Sequence, residues 1–167
     1  FDYLEQAGKV RHFGVSNQNP MMMELLKTAV KQPLKVNQLQ LSAAFTPSFE
    51  AGFHVNMEGP KAAVRDGSVF EYCRLTDTVI QAWSVLQHGY FKGNFVGKEE
   101  FAALNHVLND LAKKYQVTPT AIALAWVLRY PGKMQAIIGT TNPRHVLEAG
   151  KAAAVTLTRK EWYQIYL

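Results

Sequence analysis

Lys9-Val10-Arg11-His12-Phe13-Gly14-Val15-Ser16 reads as a β-type run, and Asn17-Gln18-Asn19-Pro20 follows it at once. Asn19 is a helix N-cap with proline at the first helical position, where the missing N–H costs nothing. The helix it opens is expected to turn Met22, Leu25, Leu26 and Ala29 to one side. A strand that runs straight into a capped helix is one βα unit. The rest of the chain repeats that grammar.

Three further β-type runs are Leu34-Lys35-Val36-Asn37-Gln38-Leu39-Gln40-Leu41, Thr78-Val79-Ile80-Gln81-Ala82-Trp83-Ser84 and Met134-Gln135-Ala136-Ile137-Ile138-Gly139. Each separation leaves room for a crossover helix, which is how parallel strands are joined. Phe101, Leu104, Leu108, Leu111 and Tyr115 recur at spacings of three and four and predict a helix over 98–114. Thr118-Pro119 opens another, apolar from Ala121 to Leu128, which Pro131-Gly132 stops. Asn142-Pro143 starts one expected to turn Val146 and Leu147 inward. Thr158 caps a last one carrying Trp162, Ile165 and Tyr166. Alternation of this kind implies an α/β fold with a parallel sheet, either a small doubly wound domain or half of an eight-stranded barrel. A whole barrel takes about 250 residues, more than the 167 here.

Phe1 to Gln6 reads as the end of a helix, with Ala7-Gly8-Lys9 as its stop. Together with the absence of methionine at position 1, this leads us to expect a segment of something longer. Of the positions, 48% are hydrophobic and 19% charged, which excludes intrinsic disorder. A single cysteine, Cys73, excludes a disulfide framework and a thiolate zinc cluster, and fits a reducing, cytoplasmic setting. No apolar run approaches the roughly 18–20 residues of a membrane span, and no signal peptide opens the chain. The net charge of +5 and a pI near 9.3 favour anionic partners. The basic residues occur at most in pairs, however, which argues against a nucleic-acid-binding stripe.

Chemistry is expected where strands hand over to helices. The junctions at residues 14–20 and 138–143 both end in small hydroxyl or amide residues before an Asn-Pro start. Helix N-termini at the carboxyl edge of a parallel sheet are anion-binding geometry. Arg144 and His145 lie in the first turn of the second helix, where an anion would offset their conflict with the helix dipole. A phosphate site and a pair of well-capped helices both fit. Trp83 ends the third strand, and the polar loop through Gly89 and Gly93 follows it; a tryptophan there stacks on a flat heteroaromatic ring or fills core. Gln38 is a buried polar candidate that needs a partner. The loop from Ala43 to Gly59 reads as a lid, a substrate rim or plain solvated loop. The histidines show no i, i+4 pairing and no ligand at metal spacing, which argues against a metal site. Asp66-Gly67 is a turn signal, and Cys73 is expected as a small buried hydrophobe in a helix. No glycine-rich phosphate loop and no acid–base pair stands out.

These residues resemble the carboxyl-terminal half of the aldo-keto reductases. Residues 8–17 look like that family's fifth barrel strand and Asn37-Gln38-Leu39-Gln40 like the sixth. Ala82-Trp83-Ser84 looks like the seventh, and Ile137-Ile138-Gly139-Thr140-Thr141-Asn142-Pro143 like the eighth. The resemblance runs from about Gly8 to the end. It implies half of a (β/α)8 TIM barrel, four parallel strands (barrel strands 5 to 8) with their helices, the whole chain being the carboxyl-terminal portion of one barrel domain. It further implies binding of NADP(H), with NAD left open. Ser16, Asn17 and Gln38 would hydrogen-bond the nicotinamide carboxamide, and Trp83 would stack on its ring. Ser84, Leu86 and the loop through Gly89 would follow the pyrophosphate. Gly139, Thr140, Thr141, His145 and Glu148 would surround the adenosine and its 2′-phosphate.

The family often has lysine where Gly139 stands, arginine where His145 stands and asparagine where Ala149 stands. Its catalytic Asp, Tyr, Lys and His come from earlier strands and have no match here, so no catalytic residue is assigned; Tyr72, Tyr90 and Tyr115 are not promoted to the role. The resemblance implies an enzyme moving hydride between NADPH and an aldehyde or ketone, this chain alone being inactive. Its partners would be a small carbonyl compound and the missing amino-terminal half, with no nucleic acid and no membrane; a homo-oligomer is left open. The rival readings are a non-catalytic nicotinamide-sensing subunit of the same fold and an unrelated small α/β binding module.

Overall fold

The protein is described by a computed structural model covering residues 1–53, 68–89 and 92–166. Its elements are α1 (Asp2–Gln6), β1 (Phe13–Ser16), α2 (Pro20–Lys27), β2 (Leu34–Gln40), α3 (Pro47–Phe53), α4 (Val69–Leu75), β3 (Val79–Trp83), α5 (Ala102–Tyr115), α6 (Pro119–Leu128), β4 (Met134–Ala136), α7 (Pro143–Gly150) and α8 (Arg159–Tyr166). The four strands are parallel, in the order β1-β2-β3-β4. The predicted α/β alternation is therefore present. The first and last strands are shorter than their sequence patterns suggest. The expectations at His54, Gly59, Asp66-Gly67 and Tyr90 lie outside the described residues.

The chain forms two compact units: residues 1–39 with 47–81, and residues 40–46 with 82–167. In the first, Phe13 of β1 is in register with Leu34 of β2 and, after a register shift, Val15 with Asn37, and Met23, Phe49, Phe70, Cys73 and Ile80 fill the core. Phe49 meets Phe70 edge-on, with ring centroids 5.7 Å apart. The segment from Pro47 is thus a helix with a buried aromatic, not the solvated loop that its small residues suggested. Burial raises the Cys73 thiol to about 11, the inert hydrophobe expected of it.

Asn19 caps α2 as predicted, its side chain accepting from the Met22 amide at 2.9 Å. The buried face is not the predicted one. Met23 is 0% exposed, whereas Met22 and Leu25 are 50% and 72% exposed. Three consecutive methionines make the first turn apolar all round, so composition alone does not choose the face.

In the second unit α6 is buried from Ala121 to Val127, and Thr118 caps it through the Ala121 amide. Trp126 and Trp162 stack at 5.0 Å and 9°. Each indole N–H donates to the other residue's carbonyl at 3.1 Å, clasping α6 to α8. The predicted inward pair on α7 is corrected: Val146 and Leu147 are 44% and 72% exposed, and no residue of α7 is buried. Two adjacent apolar residues are 100° apart on a helix, too short a stripe to fix a face.

Thr158 and Glu161 form a capping box at the start of α8. The Glu161 carboxylate accepts from the Thr158 amide (2.7 Å), the Thr158 hydroxyl (2.8 Å), Lys114 (2.6 Å) and the Tyr115 hydroxyl (2.9 Å). Burial pushes this carboxyl up, but those hydrogen bonds outweigh it and hold it at about 2.

Two outcomes follow. A Cβ on Gly14 would lie 2.6 Å from the Val36 Cβ and 2.7 Å from its carbonyl oxygen. Gly14→Ala therefore costs about 1–3 kcal/mol, read as a lower midpoint in denaturant unfolding. Glu161 titrates at 4.5 when unfolded and about 2 when folded. The unfolded chain holds its proton more tightly, so this contribution is complete above 4.5 and drains away as pH falls towards 2. Glu161→Gln lowers stability at neutral pH by about 2 kcal/mol and flattens its decline across that window in thermal unfolding scans.

Candidate functional site

The site residues of the first unit sit where β1 ends. Ser16 is in register with Gln38 of β2, so both side chains leave the same face of the sheet. The Ser16 hydroxyl is 3.4 Å from the Gln38 carbonyl, which also accepts from the Asn17 amide at 2.8 Å. Asn17 turns the chain with φ +53°, a left-handed conformation that asparagine holds more readily than most residues. The three predicted carboxamide-binding residues, Ser16, Asn17 and Gln38, are brought together.

Gln38 is half-buried and donates its side-chain amide to Gln81 at 2.8 Å. Its neighbour Asn37, which the sequence reading passed over, is fully buried. The signal was present: an asparagine on the helix-facing side of an otherwise apolar strand must find main-chain partners.

In the second unit, β3 ends with half-buried Trp83, followed by Ser84 at φ +52°. The Ser84 carbonyl accepts from the Gln87 amide at 2.9 Å, closing a turn. Buried Ser42 donates to the Gln87 carbonyl, and the Leu41 amide donates to the Trp83 carbonyl at 3.3 Å. Beyond the turn the loop folds back on itself, with Phe95 N–H on the Leu86 carbonyl at 3.1 Å and His88 N–H on the Gly93 carbonyl at 3.4 Å. Gly89 is buried in this loop. Leu86 and Gly89 thus lie on either side of Gln87, which forms an antiparallel bridge with Asn94.

Beside it, the Ile137 amide donates to the Ala82 carbonyl at 2.8 Å, so β4 runs along β3. Gly139 and Thr141 are exposed and Thr140 half-buried. The Thr140 hydroxyl accepts from the Asn142 amide at 3.2 Å and lies 3.4 Å from His145 Nδ1. Asn142 caps α7 through the Arg144 amide at 3.0 Å. Thr140 and His145 are therefore brought together on the first turn of α7, with Glu148 half-buried one turn on. The donor set of hydroxyls, amides and an imidazole on a helix N-terminus suits phosphate oxygens and a carboxamide.

One expectation about histidine is corrected. Asp110 stands four residues after His106, with Nε2 and Oδ2 3.3 Å apart on the surface of α5. Among the described residues no group of three or more His, Cys, Asp or Glu is placed to hold a metal, and no helix is long and apolar enough to cross a membrane.

The model of the aldo/keto reductase family matches residues 1–166. A 6-dehydroglucose reductase of Agrobacterium fabrum is 32% identical over 166 residues, 99% of this chain and 48% of that protein. The oxidoreductase YdhF of Escherichia coli is 30% identical over 166 residues, 99% of this chain and 49% of its own length. The chain thus spans about half the length of the curated relatives it matches. An aldo-keto reductase from Klebsiella pneumoniae, solved in complex with NADPH, has a TM-score of 0.71 at 21% identity, covering 98% of this chain and 50% of that one. A thermostable aldo-keto reductase bound to the inhibitor epalrestat has a TM-score of 0.70 at 22% identity, covering 99% and 51%. The four parallel strands and their helices correspond to about half of these barrels. By its sequence over nearly its whole length, and by its fold, the chain belongs to the aldo/keto reductase family.

Proposed function

We propose that this chain is the NADP(H)-binding, carboxyl-terminal portion of a single aldo-keto reductase barrel, with NAD as the alternative cofactor. The intact protein would transfer hydride between NADPH and an aldehyde or ketone in the cytoplasm. One observation supports the reading: three of the four strand-end motifs named by the resemblance lead into a tight turn or a capped helix start. β1 and β3 are followed by the left-handed residues Asn17 and Ser84, and β4 leads to the capped N-terminus of α7.

In this reading Ser16, Asn17 and Gln38 hold the carboxamide and fix which face of the ring is presented. Trp83 stacks on that ring. Ser84, Leu86 and Gly89 follow the pyrophosphate. Gly139, Thr140, Thr141, His145 and Glu148 receive the adenosine and its 2′-phosphate, with Arg144 adding positive potential nearby. The nicotinamide, when bound, supplies the hydride; the chain supplies its orientation. The general acid and its partners match nothing in this chain, so it is proposed to bind cofactor without turning over a carbonyl compound.

Titration of the folded chain with NADPH and with NADH, followed by tryptophan fluorescence and calorimetry, tests this. NADPH binding is expected, with Trp83→Ala weakening it about tenfold, in line with the worth of one stacked ring, and no carbonyl reduction by the chain alone. A folded sample that binds neither nucleotide overturns the reading.

A further inference from the structure

The buried amide of Asn37 has no part in the ligand set above, yet it grips the loop that carries Ser16 and Asn17. Asn37 is 0% exposed and lies on the face of β2 opposite Gln38. Its Nδ2 donates to the Gln18 carbonyl at 2.8 Å, and the Gln18 amide donates back to its Oδ1 at 3.5 Å. The same Nδ2 is 3.5 Å from the Met23 sulfur, and the buried Cys73 thiol is a neighbour of the same side chain. Asn17, at φ +53°, is thereby held on both sides. Before it, Ser16 pairs in register with Gln38, whose carbonyl takes the Asn17 amide; after it, both main-chain groups of Gln18 are tied to Asn37. A left-handed non-glycine residue persists only where its surroundings over-determine it.

We propose that Asn37 is a positioning residue: through Gln18 it locks Asn17 in its left-handed conformation and so presents Ser16 and Asn17 to the cofactor's carboxamide. The inference rests on the cofactor reading above and names a residue that reading does not use. Asn37 itself touches no cofactor. An apolar residue in its place would leave the Gln18 carbonyl without its donor, and the loop would lose its definition while the strand remained.

The test compares the wild-type chain, Asn37→Ser and Cys73→Ala, which alters the same pocket without touching Gln18. Amide hydrogen exchange at residues 16–18 is measured without ligand, and affinities are measured for NADPH and for adenosine 2′,5′-bisphosphate, which has no nicotinamide. Asn37→Ser is expected to speed exchange at Asn17 and Gln18 and to weaken NADPH about tenfold, leaving the bisphosphate unchanged; Cys73→Ala is expected to do neither. Unchanged exchange in Asn37→Ser, equal loss for both ligands, or the same effects in Cys73→Ala overturn the proposal. Should Asn37→Ser lose its helical signal, Asn37→Leu, of similar size but lacking both donor and acceptor for Gln18, takes its place with the same expected result. A wild-type chain that binds neither nucleotide overturns the cofactor reading instead, and the ligand-free exchange data separate that failure from this one.

Discussion

A single main-chain oxygen, the carbonyl of Gln38, decides where the first strand stops. It accepts the amide of Asn17, the first residue of β1's exit to leave the extended conformation. Two residues later Asn19 is already capping α2. The hand-over from strand to helix is therefore complete within three residues. Such brevity has a cost: one residue in a sparsely populated conformation, a polar side chain buried behind it, and a glycine one pair back whose missing Cβ leaves Val36 its space. These features are explained together by the need to turn a parallel strand sharply at its carboxyl end, where α/β proteins receive ligands.

The end of β3 solves the same problem with different residues. Ser84 takes the left-handed position, and Ser42, in the extension of β2, holds the turn that follows. In each unit a buried polar side chain braces a turn from behind. Neither brace carries charge.

Much of this was legible in the sequence because capping is local chemistry. Asn19-Pro20, Thr118-Pro119 and Asn142-Pro143 each announce a helix start by a side-chain acceptor and a residue that lacks an N–H, and all three caps are made. That Ser16, Asn17 and Gln38 come together was legible too, as an implication of the resemblance. What was not legible depends on partners distant in the chain. On α2 it is Met23, its sulfur 3.5 Å from Asn37, that is buried, a choice the run of methionines does not make. The exposure of Val146 and Leu147 depends on how α7 lies against the alanine-rich α6. Asn37 was overlooked because a polar residue inside a strand looks like a ligand or an accident until its main-chain partners are seen. His106 and Asp110 are a single pair on an exposed helix, which no cluster of ligand types marks in the sequence.

The mutual bond between Trp126 and Trp162 has a consequence for how this part of the molecule comes apart. Each indole satisfies the other residue's carbonyl, so neither helix can lift away and leave its partner content. Separating the helices breaks both bonds and strands two indole donors at once in an apolar setting. α6 and α8, far apart along the chain, are thereby made to melt in a single step, and the terminal helix does not fray ahead of the interior against which it lies.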